Sequence, residues 1–454
     1  MWEEVLARFE KQAPASVMAR LTLEQALPSS WIDEIFESHR QRQYSRELLL
    51  STVMELMSLV SLGLRPSLHA AARKMENLPV TLTALYDKIK RTEPAVLRAL
   101  VQGSSARLAP VIGALGQAHS LPGWQLRIVD GNHLPGSEKR LAPLRAHRGA
   151  ALPGHAVVVY DPDRGLVTDI VACEDAHESE RAAMPPLLAS AQPGQAWIAD
   201  RHFCTRAILY GLHEAGAAFI VREHAHHPRI LSESPWSARG RTPTGQVHEQ
   251  AIVIDPDGAS WRRIELHLDT PAESGESMIR LWSNLPDAID ATQIAELYRK
   301  RWRIEGMFQR LESVLESEIR ALGHPRAALL GLVSAILAYN VLSLLKHSIE
   351  QAHREEVPEL DVSTYHLAVH VRSDYPGMLI ALPAQSWSGM GTISPEQLAQ
   401  RLLQLGRRIS PRQVATSKRG PKKEKSKGYV GAATAREHVS TARVLKAAKK
   451  AQTP

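Results

Sequence analysis

The apolar residues of this chain change their period near residue 124, and no other feature constrains its fold as much. Before that point, residues 1 to about 118 carry helix formers at helical spacing. Glu47 to Leu62 is one such run; Leu68 to Met75 and Thr81 to Leu100 follow, with Pro66 and Pro79 as breaks. After it come short runs rich in β-branched residues. Trp124–Val129 (WQLRIV) reads as a strand ending at Asp130, and His155–Tyr160 (HAVVVY) as a second. Leu166–Cys173 (LVTDIVAC) reads as a third, joined to the second through the turn residues Asp161–Gly165 (DPDRG). Ser179–Ala191 reads as a helix interrupted by a proline pair. Ala196–Ala199 (AWIA) reads as a buried strand ending at Asp200, Thr205–Ala215 as a helix capped by Gly216, and Ala217–Arg222 as a further strand.

That order predicts a mixed α/β sheet with an antiparallel hairpin and helix-linked strands. Both aspartates fall where a strand is expected to end, and sites in open α/β sheets collect at the carboxyl ends of strands. Residues 223–286 break the pattern with polar loops and short alternating strands, and read as an inserted β-rich subdomain. A long helix is expected from about Thr292 to Leu322, with Asp290 and Gln293 as its capping pair and Gly323-His-Pro as its stop. An apolar helix follows from Arg326 to about Ile349. The expected organisation is a helical region over 1–118, a catalytic core over 119–349, a helical region over 350–404 and a basic, disordered tail over 405–454.

The 454 residues are too many for one simple core. Two cysteines, Cys173 and Cys204, form no CxxC pair, which excludes a zinc ribbon. So few in so long a chain read as cytosolic and reduced. The N-terminus is charged from residue 3 and lacks the pattern of a signal peptide. The apolar stretch Ala327–Leu345 carries Ser334, Asn340 and Ser343, and reads as a core helix, with no membrane partner expected. The net charge of +7 is unevenly spread: residues 405–454 hold 14 Lys/Arg and 2 Asp/Glu, a net of +12, so the other 404 residues carry 7 − 12 = −5. Such a tail is either an anchor for phosphates or a solubilising appendage.

The long helix carries the chemistry. At about 100° per residue from Tyr298, Arg301 falls near 300°, Glu305 near 340°, Gln309 near 20° and Glu312 near 320°, a narrow polar face. Ile304, Met307, Phe308, Leu311 and Leu315 form the stripe to be buried. Glu305 therefore stands beside the seam between helix and sheet, within reach of strands bearing Asp130 and Asp200. Three carboxylates from two strands and a helix repel one another unless a cation joins them, and magnesium prefers such hard oxygen ligands. Any one of these carboxylates alone reads more readily as a surface or capping residue than as a metal ligand.

The segment Tyr298-Arg-Lys-Arg-Trp-Arg-Ile-Glu305 resembles the Tyr-Arg-Glu signature of DDE transposases from bacterial insertion sequences, in the insertion-sequence-four family. Asp130-Gly-Asn-His-Leu resembles the family's first-Asp motif, and Ile198-Ala-Asp200-Arg-His-Phe203 its second. The likeness spans about residues 120–345. It implies a ribonuclease-H-like core in which Asp130, Asp200 and Glu305 bind two magnesium or manganese ions. It implies cleavage at terminal inverted repeats, then attack of the freed 3′-hydroxyl on target DNA. Tyr298 and Arg301 match the residues that contact DNA near the cleaved end. A homodimer in the synaptic complex and a place in the bacterial cytoplasm, at the nucleoid, are also implied. One departure is plain: Glu312 stands where the family pattern carries a lysine, seven residues after Glu305.

Weaker candidates surround these. Lys418–Lys427 (KRGPKKEKSK) reads as a DNA-backbone contact through Lys418, Arg419, Lys422 and Lys423. Thr81–Arg91, after the short helix HAAARKM, reads either as part of a helix-turn-helix or as plain bundle. His224, His226 and His227 read as a metal site or, more often for such loops, as solvated. His133 and His202 lie close to the aspartates. Trp236, Trp261 and Trp282 are candidates for stacking on a base, with core packing the alternative for Trp282. Two competing functions remain at this level: a transposase that only occupies DNA, and a stand-alone metal-dependent nuclease.

Overall fold

A computed structural model describes residues 2–45, 47–75, 78–134, 141–144, 146, 151–255, 258–272, 275–319, 321–387, 392–417 and 439–452. The N-terminal region is helical: α1 (Trp2–Gln12), α2 (Pro14–Ala26), α3 (Ser29–His39), α4 (Leu50–Ser61), α5 (Leu68–Lys74), α6 (Leu82–Ile89) and α7 (Pro94–Ala114). The expected run Thr81–Leu100 is split, because Pro94 starts a new helix at its first position. Ser67 and Thr81 cap α5 and α6 by accepting from the N–H groups of Ala70 and Ala84.

The strands are β1 (Gln125–His133), β2 (Ala151–Leu152), β3 (His155–Asp161), β4 (Leu166–Cys173), β5 (Gln195–Ala199), β6 (Ala218–Arg222), β7 (Ile230–Glu233), β8 (Ser237–Thr242), β9 (Gly245–Ile254), β10 (Ser260–Leu268), β11 (Met278–Ser283) and β12 (Val439–Ser440). Helices α8 (Met184–Leu188) and α9 (Arg206–Glu214) fall between β4 and β6. Among the described residues, ten strands form one sheet in the order β4-β3-β1-β5-β6-β11-β10-β9-β7, with β8 paired to β9. β1, β5 and β6 are mutually parallel, while β3 runs against β1 and is joined to the antiparallel β4 as a hairpin. This mixed α/β arrangement is compatible with a ribonuclease-H-like fold. The strands of 223–286 do not stand apart as a separate layer. β11 pairs antiparallel with β6 through Leu281↔Arg222 to Ser283↔Ile220, so they extend the core sheet.

Strand alternation covers both faces. Leu126 and Ile128 of β1 join the core built with the N-terminal helices, whereas Val129, Val157 and Val159 pack with Met184, Leu209 and Trp261 on the other side.

The long helix expected over 292–322 is two helices, α10 (Ala291–Arg299) and α11 (Trp302–Val314). Between them the backbone tightens: Lys300 N donates to Leu297 O and Arg301 N to Tyr298 O, both at 3.0 Å, in three-residue turns. α11 ends well before Gly323, where Glu316 adopts a left-handed φ of 45°. The apolar stretch forms α12 (Pro325–Ala352), long and apolar enough to cross a membrane by composition, with 94% of its most apolar window buried inside the protein. α13 (Thr364–Ala381) lies where the sequence signal fades. α14 (Pro395–Gly406) carries a Ser394–Gln397 capping box, and α15 (Pro411–Val414) follows. The tail is not wholly unstructured: α16 (Thr441–Gln452) is helical, and β12 before it pairs with β2.

Candidate active site

β1 and β5 lie side by side from Gln125↔Gln195 to Val129↔Ala199. β5 stops there, so Asp130 and Asp200 follow at the same edge. Asp200 leaves its strand as expected and starts a tight turn over Arg201–Phe203, its Oδ1 accepting from His202 N at 2.7 Å. Asp130 does not end its strand. β1 continues to His133, because β3 keeps pairing with it as far as His133↔His155 after β5 has ended. Alternation puts Asp130 on the side of Leu126 and Ile128, the face shared with Ile304, Met307 and Leu311 of α11.

Arg301 joins the carboxylates. Its Nη1 donates to Asp130 Oδ2 at 3.0 Å and its Nη2 to Glu305 Oε1 at 2.9 Å. The planar fork of a guanidinium is what allows one side chain to serve two carboxylates. Burial disfavours the charge on Arg301, but Tyr298, Asp130, Glu305 and Asp200 together hold its pKa above the ordinary value. Tyr298 itself is only 6% exposed. Burial raises its hydroxyl above the ordinary tyrosine range, with Arg301, Arg222 and Asp200 around it. Trp302 is exposed beside the site, the Arg301 guanidinium 5.0 Å from its ring.

Asp130 is short of positive charge despite this partner. Burial pushes its carboxyl up to about 6; Arg301 draws it down, and Asp200 and then Glu180 oppose that. Among the described residues, no three His, Cys, Asp or Glu side chains stand together as a ready-made metal cluster. Arg301 is the cation between Asp130 and Glu305. The donors are still of the hard oxygen kind that a divalent ion takes: Arg301 bridges Asp130 to Glu305, Asp200 acts on Asp130 through its charge, and Asp130 stays undercompensated.

Residues 124–341 match the family model of the transposase DDE domain. The matched segment is just under half of the chain and holds Asp130, Asp200, Tyr298, Arg301 and Glu305. No curated protein matches the chain. The match makes this segment similar to the DDE domain of transposases.

Other sequence candidates divide around this cluster of Asp130, Arg301 and Glu305. His202 touches it through Asp200. His133 stacks on buried His155 at 5.2 Å, at the end of β1. The rings of His224 and His226 are 4.9 Å apart, while His227 packs on Trp282 at 4.8 Å. Trp261 and Trp282 are buried in the core, whereas Trp236 is 39% exposed, with Arg263 5.9 Å from its ring. Cys173 and Cys204 are free and buried, each thiol pushed up to about 12 chiefly by that burial. Glu312 is exposed on α11, and Arg310 lines a cavity of about 570 Å³ with Arg303 and Lys346. Lys418, Arg419, Lys422 and Lys423 lie outside the described residues. Glu180 and Arg181, from the turn before α8, were not singled out by sequence. Ser179 caps that turn, but nothing in HESER marks it as near a site 50 residues earlier.

Proposed function

We propose that this protein is the DNA transposase of an insertion sequence, cutting at terminal inverted repeats and joining the freed 3′-hydroxyl to target DNA. Asp130, Asp200 and Glu305 would hold two magnesium or manganese ions. When bound, such ions stabilise charge on the attacking and leaving oxygens of a phosphodiester. The observation that carries this reading is the Asp130–Arg301–Glu305 bridge, formed beside Asp200 within a segment that matches the DDE domain.

The chain's own residues prepare the reaction. Arg301 neutralises Asp130 and Glu305 until cations arrive, and its fork is then available to a DNA phosphate. Tyr298 buttresses Arg301 from below and takes part in the contact near the cleaved end. The basic segment with Lys418, Arg419, Lys422 and Lys423 grips the backbone without reading sequence. Synapsis brings two protomers together on paired ends.

The test is strand transfer by purified protein with magnesium and DNA carrying the flanking inverted repeats. The wild type is expected to nick and join, and Asp130→Ala, Asp200→Ala and Glu305→Gln to bind ends without cutting them. Cleavage that survives each substitution would refute the triad. An inert wild type that still binds ends would establish a protein that only occupies DNA, and cutting without joining or end preference a nuclease.

A further inference from the structure

The parallel ladder between β1 and β5 ends at Val129↔Ala199, so Asp200 lies beyond the last pair that ties its strand to Asp130. A fourth carboxylate spans that gap. Glu180 packs against Gly131, the residue after Asp130: a Cβ built on Gly131 would overlap Glu180 Oε1. Glu180 Oε2 lies 3.9 Å from His202 Nε2. His202 donates its backbone N–H to Asp200, and the neighbouring Arg181 Nε donates to His202 O at 2.6 Å. Gly131 is not among the residues with a left-handed backbone, so conformation does not demand a glycine there; the seat of Glu180 does. Alternation turns residue 131 away from the face of Asp130, so Glu180 reaches the strand from the side opposite Arg301.

We propose that Glu180 is a positioning residue for DNA cleavage, holding the segments of Asp130 and Asp200 at a fixed spacing through Gly131 and His202. This rests on the reading of Asp130, Asp200 and Glu305 as the cation-binding triad. Two carboxylates at adjacent strand edges repel each other, and beyond Ala199 no ladder pairing opposes their drift. Glu180 and Arg181 supply the missing cross-link from the other face. The nearest atoms that a methyl at residue 131 meets are Oε1, Cδ and Cγ of the flexible Glu180 side chain, so Gly131→Ala is expected to evict that carboxylate without unfolding the strand.

The test uses the full-length protein with manganese binding followed by electron paramagnetic resonance, alongside cleavage of end DNA. Glu180→Ala and Gly131→Ala are each expected to weaken manganese binding and cleavage by roughly 10- to 100-fold, the usual effect of removing support behind a ligand. The double variant is expected to be no worse than either single one, because both empty the same seat. Glu180→Gln keeps the shape and an oxygen for His202, and should recover most of the loss. Unchanged manganese affinity in Glu180→Ala, with Asp130→Ala losing it, would overturn this proposal alone, as would losses that multiply in the double variant. A wild type that binds no manganese would instead overturn the triad reading beneath it.

Discussion

Asp130 sets the electrostatics of the site, and its behaviour is measurable without DNA. Burial raises its carboxyl from 3.8 to about 6 in the folded chain. The folded state therefore holds a proton that the unfolded chain has released between about pH 4 and 6. That stabilisation is complete below about pH 4 and is lost as pH rises through 6. Without divalent ions, the wild type should lose up to about 3 kcal/mol relative to Asp130→Asn across this window, at 1.36 kcal/mol per pKa unit. Thermal melting of both proteins from pH 4 to 7 reads the difference; parallel curves would show that Asp130 is not the group responsible. Asp130, Arg301 and Glu305 were legible in the sequence because period and motif both mark them. Glu180 was not, because its place depends on how a short turn folds onto the back of β1.

At the scale of elements, the succession of strands and helices from residue 124 to 222 follows from period and turn residues, and the structure keeps its main strands and helices. The errors sit at ends and junctions. β1 outruns its expected stop because its antiparallel partner continues, a pairing that a strand's own residues do not encode. The helix bearing Glu305 breaks at Lys300 and Arg301, where the turn tightens and Arg301 is drawn into the bridge. No helix breaker marks that point. The polar residues inside α12, at first sight exceptions in an apolar run, have a physical explanation in one case. Asn340 Oδ1 accepts from Val167 N at 2.8 Å and its Nδ2 donates to Val167 O at 2.9 Å, so a helix side chain finishes the edge strand β4. Asn340→Leu should cost about 2–5 kcal/mol, since a buried N–H and C=O both lose their partner. Chemical denaturation measures it, and a loss below about 1 kcal/mol would mean the strand edge finds other partners.

At the scale of the whole molecule, charge is divided more sharply than structure. The last 50 residues hold the entire positive excess, yet part of that region is docked rather than free. Asp175 receives Ser440 Oγ at 2.6 Å and Arg443 Nε at 2.8 Å, and Val444 packs with Leu144. Burial alone would raise the Asp175 carboxyl, but Ser440, the His177 N–H and Arg443 outweigh it and hold it at about 2. This anchor therefore persists above about pH 4 and weakens only as pH falls toward 2. Composition predicted disorder here because a Lys/Ala-rich segment buries little of itself; its stability comes from a distant carboxylate that composition does not register. The docked helix and the basic segment before it make separate predictions. Ending the chain at Ser417 removes the cations of both, and should weaken binding to DNA of any sequence by roughly tenfold or more at moderate salt, with a shallower dependence of log affinity on log salt. Asp175→Asn leaves every cation in place and loosens only the anchor, so the salt slope should stay that of the wild type while amide exchange quickens across 439–452. Titrations of end DNA and unrelated DNA between low and moderate salt separate the two. An unchanged slope after truncation would show that the tail's charge does not meet phosphate, and a slope lost with Asp175→Asn would show that docking, rather than charge count, sets the grip.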